Sequence, residues 1–298
     1  MKILITGGKG QLGSELESVL KKKECFIGRL SKEYENCEWI SFSSKDLDIT
    51  DFEKAKEIIE INKPDVLINC AAFTDVDGCE KDQKKAMMVN AFGAKNLATI
   101  CGNLDTKILH VSTDYVFDGG YEKLYCEWDI CNPKTTYGKS KLLGEQYIKE
   151  FSKKYFIVRT SWLYGSIGKN FVKTILDLSK TKKELSVVND QFGNPTSAND
   201  LAFHILSLAV TENYGLYHCA GEGSCSWFDF ACKIAEFTGL SCKILPVSTE
   251  EYQKIDFRTA KRPKNSSLCN LSLKALNLNS MPNWEGSLKI FLNEYVCK

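Results

Sequence analysis

Residues 2–20 read KILITGGKGQLGSELESVL, and this stretch decides the fold. KILIT is a short, nearly continuous apolar run, the pattern of a strand buried on both faces. QLGSELESVLKKK then places Leu12, Leu16, Val19 and Leu20 at helical spacing and closes on lysines that suit the negative end of the helix dipole. Between them lie Gly7, Gly10 and Gly13. A tight strand-to-helix turn needs a residue that tolerates positive φ. A pyrophosphate can approach the backbone only where side chains are absent, and the helix start supplies free N–H donors. A glycine pattern alone is weak evidence. Set between a buried strand and an amphipathic helix, it predicts a nucleotide-binding turn.

The alternation continues outward. CFIGRL and EWISF are weaker strands, and DFEKAKEIIEIN is a helix capped by Thr50 or Asp51. PDVLINCAA, KILHVST and YFIVRTS are strong strands, separated by the helical runs KKAMMVNAFGAKNLATICG and SKLLGEQYIKEF. Such a chain predicts an α/β fold, a Rossmann-like doubly wound parallel sheet with helices on both faces. Beyond about Thr160 the rhythm loosens into loops rich in Gly, Pro, Asn, Ser and aromatic residues. We expect a dinucleotide-binding domain over 1–160, with later segments returning to it, and a smaller, mainly substrate-binding C-terminal lobe over 161–298.

Composition narrows the function. The 298 residues carry a net charge of +1, which gives no bulk attraction for nucleic acid or an anionic membrane. No apolar run approaches the ~20 residues of a membrane span, and MKILIT lacks the features of a secretory signal. The thirteen cysteines are scattered without a CxxC pair, and only three histidines accompany them. They read as reduced thiols of a cytoplasmic protein, with no metal site.

The reading of the second strand bears on the cofactor. An acid about twenty residues beyond the glycines would bind a ribose 2′-hydroxyl and favour NADH; GRLSKE offers Arg29 instead, which favours NADPH and leaves NADH open. In YGKSKLLGE, Tyr137 and Lys141 stand four residues apart, so a helix puts them on one face. A fixed ammonium beside a phenol would make it the more acidic. With Thr113 of VSTDYVFDG ahead of them, the trio resembles the Ser/Thr-Tyr-Lys arrangement of the short-chain dehydrogenase/reductase superfamily, as does the GxxGxxG loop, especially in its extended branch. Hydride reduction of a ketone leaves an alkoxide that needs a proton. Tyr137 would donate it, Lys141 would lower the phenol's pKa and hold the nicotinamide ribose, and Thr113 would bind the carbonyl oxygen. Asn90 matches an asparagine that supports the lysine through a water, or else makes a contact inside its helix.

DLDITD, NCAAFTDVDGCE, VSTDYVFDG, YGKSKLLGE, VRTSWLYG, VVNDQFGNPTSANDLA, GLYHCAGEG and RPKNSSL together resemble the dTDP-4-dehydrorhamnose reductase family over essentially the whole chain. That resemblance implies NAD(P)H-dependent reduction of a dTDP-linked 4-keto sugar. It implies that Gly10, Gln11 and Leu12 contact the cofactor pyrophosphate, Asp48 and Ile49 flank the adenine, and Ala71, Ala72 and Phe73 line the cofactor trough. Thr113 and Asp114 would meet the sugar, Trp162 would lie against the hexose, and Arg262 would pair with the diphosphate or form a surface salt bridge. Some members bind Mg2+ at a dimer interface. Glu15 is present here, but Asn199 stands where a second acid is expected, with Asp200 beside it, which puts Mg2+ in doubt. Oligomeric state stays open, a homodimer included. Two alternatives remain: a reductase of another nucleotide-linked 4-keto-6-deoxy sugar, and a non-catalytic regulatory subunit of the methionine adenosyltransferase type.

Overall fold

A computed structural model describes residues 1–120, 122–257 and 259–296. Cys297 lies outside them. Strand β1 (Lys2–Thr6) sits inside the main sheet, with Ile3 and Ile5 buried in one layer and Leu4 in the other. Around it stand β2 (Glu38–Phe42), β3 (Val66–Asn69), β4 (Lys107–Thr113), β5 (Tyr155–Thr160) and β6 (Gly215–His218). Their order is 2-1-3-4-5-6, and every pairing is parallel. The direction of winding reverses at β1, which opens a crevice at the C-terminal strand ends.

The principal helices are α1 (Gln11–Lys22), α2 (Phe52–Asn62), α3 (Gly93–Asn103), α4 (Thr136–Phe151), α5 (Phe171–Ser179), α6 (Ala198–Ala209), α7 (Trp227–Thr238) and α8 (Trp284–Val296). On one face of the sheet, Leu16 and Leu20 of α1 and Leu201 and Ile205 of α6 pack against Ile3, Ile5, Ile68 and Val158. On the other, Ala55 and Ile59 of α2, Leu97 of α3 and Ile148 of α4 meet Leu4, Leu67, Ile108 and Ile157. The second lobe has its own core, in which α5, α7 and α8 enclose a parallel pair, Glu184–Val188 with Lys243–Val247. Between these layers the chain doubles back: α6 covers the first sheet and β6 extends it beside β5.

Two expectations need correction. CFIGRL is not a sheet strand but a small hairpin, Glu24–Cys25 antiparallel to Gly28–Arg29. Phe26 N–H donates to Asn199 Oδ1 at 2.7 Å, which anchors the hairpin on α6 and away from the sheet. EWISF alone supplies β2. The long helix through KKAMMVNAFGAKNLATICG is also interrupted by a π-turn at Met88–Phe92, a feature often found at functional sites. Asp51, rather than Thr50, caps α2, accepting from Lys54 N.

Candidate active site

The site forms where β1, β3, β4 and β5 end. Gly7 has φ +71°, and a Cβ there would lie 2.7 Å from Ala71 N, so only glycine lets the first turn close on the loop after β3. Helix α1 opens at Gly10 with no side-chain cap and no acid in its first turn, leaving its N–H groups bare. That cradle fits a diphosphate. Gly13 packs against Gly7 O, and the Leu12 side chain is buried below. Gln11 is committed elsewhere: its Nε2 donates to Leu163 O at 2.9 Å and its Oε1 accepts from Asn170 Nδ2 at 2.8 Å, tying the cradle to the second lobe.

The trough beyond it is built from backbone. Ala71 N–H donates to Asn69 Oδ1, and Ala72 and Phe73 follow half-buried. Asn90, in the π-turn, grips Phe73 from both sides, accepting from its N–H at 2.8 Å and donating to its carbonyl at 3.0 Å. Asn90 Nδ2 also donates to Ser140 Oγ. Its amide is therefore spent on the trough wall and on Ser140, a direct structural contact.

Tyr137 and Lys141 stand on α4. Thr135 Oγ1 accepts from Gly138 N to cap the helix, and Glu80 accepts from both the N–H and the hydroxyl of Thr136. Gly138 is required by close approach, since a Cβ there would lie 2.1 Å from Tyr115 O. The glycine of the tetrad thus presses α4 onto the turn after β4. Tyr137 is half-buried and edge-on to Tyr115, with Thr113 beside it. Thr113 Oγ1 in turn donates to Asp114 Oδ1 at 2.9 Å. Burial pushes the Asp114 carboxyl up to about 6, against the hydrogen bonds it accepts.

Burial opposes the acidification of Tyr137 that its spacing from Lys141 predicts. It drives the phenol well above its ordinary value, and Thr113 acts in the opposite direction. Lys141 is itself buried and its ammonium is held down to about 8; its Nζ donates to Val111 O at 2.6 Å and lies 3.3 Å from His110 Nε2.

Other expected residues divide. Arg29 is on the exposed hairpin, 4.0 Å from Glu24, because the strand assigned to it is not in the sheet. The residues that follow β2 are Ser43, Ser44 and Lys45. Asp48 turns its carboxylate into a local turn with Thr50, and the Ile49 side chain is buried against Gly93. Trp162 has φ +45°, a strained value for tryptophan, and one ring face is stacked on Trp227 at 3.4 Å with Gly193 pressed against the ring. Arg262 pairs with Asp77 at 2.6 Å. Although burial opposes ionisation, that guanidinium, the Ala260 N–H and the Thr259 hydroxyl hold Asp77 at about 2. Arg262 also lines a cleft of about 360 Å³ with Phe171, Val187, Trp227 and Tyr252. Sequence reading missed this cleft, although the aromatic residues of the second lobe signalled it.

The NDQFGNPTS segment proves to be a fastening. Asn194 donates to Gly221 O and Gly223 O and accepts from Leu268 N, while Asp190 accepts from the N–H and hydroxyl of Thr249. A cation between Glu15 and Asn199 does not fit. Asn199 points its N–H at Glu15 Oε1, 2.6 Å away, and its oxygen is taken by Phe26 N–H.

A glycine cradle at a winding reversal, with a hydroxyl, a phenol and a lysine at the adjoining strand ends, defines a protein of the short-chain dehydrogenase/reductase class. The chain belongs to the family described as RmlD substrate binding domain, whose model matches residues 1–297. It is 40% identical to the spore coat polysaccharide biosynthesis protein SpsK of Bacillus subtilis (strain 168), over 98% of this chain and 97% of that protein. A dTDP-4-dehydrorhamnose reductase from Clostridium acetobutylicum has a crystal structure that superposes with a TM-score of 0.92 at 44% identity, covering 99% of both chains. The enzyme of that name from Bacillus anthracis, solved in complex with NADP, gives a TM-score of 0.90 at 41% identity, over 98% of this chain and 99% of that one.

Proposed function

We propose that this protein reduces the 4-keto group of dTDP-4-dehydro-L-rhamnose to give dTDP-L-rhamnose, using NADPH. The observation that carries the reading is the convergence of Thr113, Tyr137 and Lys141 on the strand ends beside a bare glycine cradle. The N–H groups at the start of α1 hold the cofactor diphosphate, and the Ala71–Phe73 backbone walls its trough. When bound, the cofactor supplies the hydride for the keto carbon. Tyr137 gives its proton to the carbonyl oxygen as charge develops there. Its raised pKa serves this direction of reaction, because the phenol stays protonated through neutral pH. Thr113 and Asp114 would orient the phenol and meet the sugar, and Lys141 would hold the nicotinamide ribose. The aromatic cleft beside Trp227 and Arg262 receives the nucleoside diphosphate end. Its reduced thiols suit a cytoplasmic location. Among the described residues, no helix is long and apolar enough to cross a membrane.

The test is to incubate the protein with a panel of 4-keto sugar nucleotides and NADPH, following loss of the reduced nicotinamide absorbance and reading product stereochemistry by NMR. We expect turnover of the dTDP-linked rhamnose precursor. Tyr137→Phe should lose about 10²-fold or more in kcat with cofactor binding retained. Turnover of another 4-keto sugar alone would move the reading to that substrate. No oxidation of NADPH with any of them, together with copurification with a synthetase, would favour a binding subunit.

A further inference from the structure

Asp77 lies on the short helix Val76–Lys81, just beyond the Ala71–Phe73 wall of the trough. Its carboxylate reaches a segment 182 to 185 residues later in the chain. Oδ1 accepts from the Ala260 N–H at 3.0 Å and the Thr259 hydroxyl at 3.3 Å, and Oδ2 accepts from Arg262 Nη2 at 2.6 Å. Among the described residues, Asp77 receives every hydrogen bond that residues 259–262 send outside their own stretch.

The chain beyond is held differently. Phe192 N–H donates to Lys264 O and Ser266 N–H to Phe192 O; Tyr125 N–H donates to Ser267 O and Cys269 N–H to Tyr125 O. Pro263 packs on Gly119, where a Cβ would lie 2.5 Å from it. Residues 259–269 are thus a strap, tied at one end by backbone bonds and latched at the other by a single carboxylate.

Arg262 stands at the latched end and lines the cleft of about 360 Å³. A guanidinium carries its N–H donors in a planar fork. Asp77 takes one at Nη2 and Ala260 O takes one at Nη1, so the protein sets the plane of the fork and leaves other donors for a ligand in the cleft. We infer that Asp77 is a positioning residue, which seats the Arg262 fork to meet the diphosphate of the sugar nucleotide. This rests on the reading of the cleft given above. The carboxylate offsets the charge of the guanidinium at long range. What a diphosphate meets is therefore a set of directed N–H groups at contact distance rather than a distant field. A loose arginine would lose its rotamer freedom each time a ligand bound; the latch removes that freedom when the chain folds. Burial opposes ionisation of Asp77, yet Arg262, the Ala260 N–H and Thr259 hold it at about 2, so the latch stays charged through neutral pH.

The experiment has two arms. The first needs no ligand. The sequence holds four arginines, so 15N-arginine labelling of the full-length protein gives a simple Nε–H spectrum, and loss of one signal in Arg262→Lys assigns Arg262. The heteronuclear NOE of that signal should be as high as that of buried Arg159 in the wild type and should fall in Asp77→Asn. A mobile Arg262 in the wild type, or one equally rigid in the variant, overturns the inference whatever the protein's activity. The second arm compares steady-state kinetics of Asp77→Asn and Asp77→Ala. Asparagine keeps an oxygen for Ala260 and Thr259 but turns N–H groups or a neutral oxygen toward Arg262. Both variants should raise KM for the sugar nucleotide about tenfold or more, with kcat within about threefold and KM for NADPH unchanged. Recovery of the wild-type KM by asparagine means that Asp77 only anchors the strap, and overturns the inference. A fall in kcat at unchanged KM overturns it too. Absence of turnover by the wild-type protein refutes the reductase reading instead, and the first arm still decides whether Asp77 fixes Arg262.

Discussion

Asp114 gives a stability prediction whose sign can be worked out from its surroundings. The residue begins the turn after β4, is 3% exposed, and accepts from the Thr113 hydroxyl at 2.9 Å. Burial raises its carboxyl to about 6, whereas an aspartate in the unfolded chain titrates near ~3.9. For an acid raised in this way, ionisation opposes folding. Below about pH 4 both states are protonated and there is no cost; above about pH 6 both are ionised and the cost is complete. Two pH units at ~1.4 kcal/mol each give a penalty of ~3 kcal/mol, nearly all of it accumulated between pH 4 and 6. Asp114→Asn keeps the shape and an acceptor for Thr113 but cannot ionise. The variant should therefore be more stable than the wild type by ~3 kcal/mol at pH 8 and about equal to it at pH 4. Urea unfolding of both proteins at half-unit pH steps measures the gap. Asp200, also raised to about 6, is present in both proteins and cancels in the difference. A gap that is flat across this range, or a wild type that is the more stable at pH 8, would refute the reasoning. The expected loss of activity would show that the carboxylate is kept for the site at the expense of stability.

Three further outcomes follow. Gly193→Ala puts a Cβ 2.4 Å from Trp162 Cε2, so we expect a loss of about 1–3 kcal/mol by urea unfolding and a raised KM for the sugar nucleotide; an unchanged KM would separate Trp162 from the substrate. Glu145→Gln leaves Arg159 charged and unpaired in a pocket where both side chains are almost fully buried. It should cost about 3–5 kcal/mol, with Glu145→Gln plus Arg159→Met recovering most of the loss; a single variant that costs under about 1 kcal/mol contradicts this. Ser43 directly follows β2, where an acid would select NADH. Ser43→Asp should lower the NADPH-to-NADH ratio of kcat/KM by about tenfold or more, and an unchanged ratio rules out this position as the selector.

The fold was legible wherever local pattern and burial agree. β1, β3, β4 and β5 are buried on both faces and read as apolar runs, and α1 carries its stripe at Leu12, Leu16, Val19 and Leu20. β2 was harder, because an edge strand is only half-buried and CFIGRL is as apolar as EWISF. What separates them is one long-range bond, from Phe26 N–H to Asn199, that no local spacing encodes. The trio Thr113, Tyr137 and Lys141 was legible because its chemistry needs those residue types in that order. Their protonation was not, since it is set by burial among residues that meet only in the folded chain. Arg262 and Asp77 are likewise joined only in space. The spacing of its side chains gives a π-turn the look of any other helical turn, so the grip of Asn90 on Phe73 left no trace in the pattern.

The return of α6 and β6 to the first sheet has a consequence for any attempt to divide the molecule. A cut near residue 160 would strip β5 of β6, one of its two neighbours, and bare the side of α1 that Leu201 and Ile205 cover. The N-terminal portion would then present a raw strand edge and an oily helix flank, an invitation to aggregate. Exchange of substrate preference between relatives should succeed only with grafts that leave residues 196–220 in place and replace the loops on either side. The foundation is common property of both lobes.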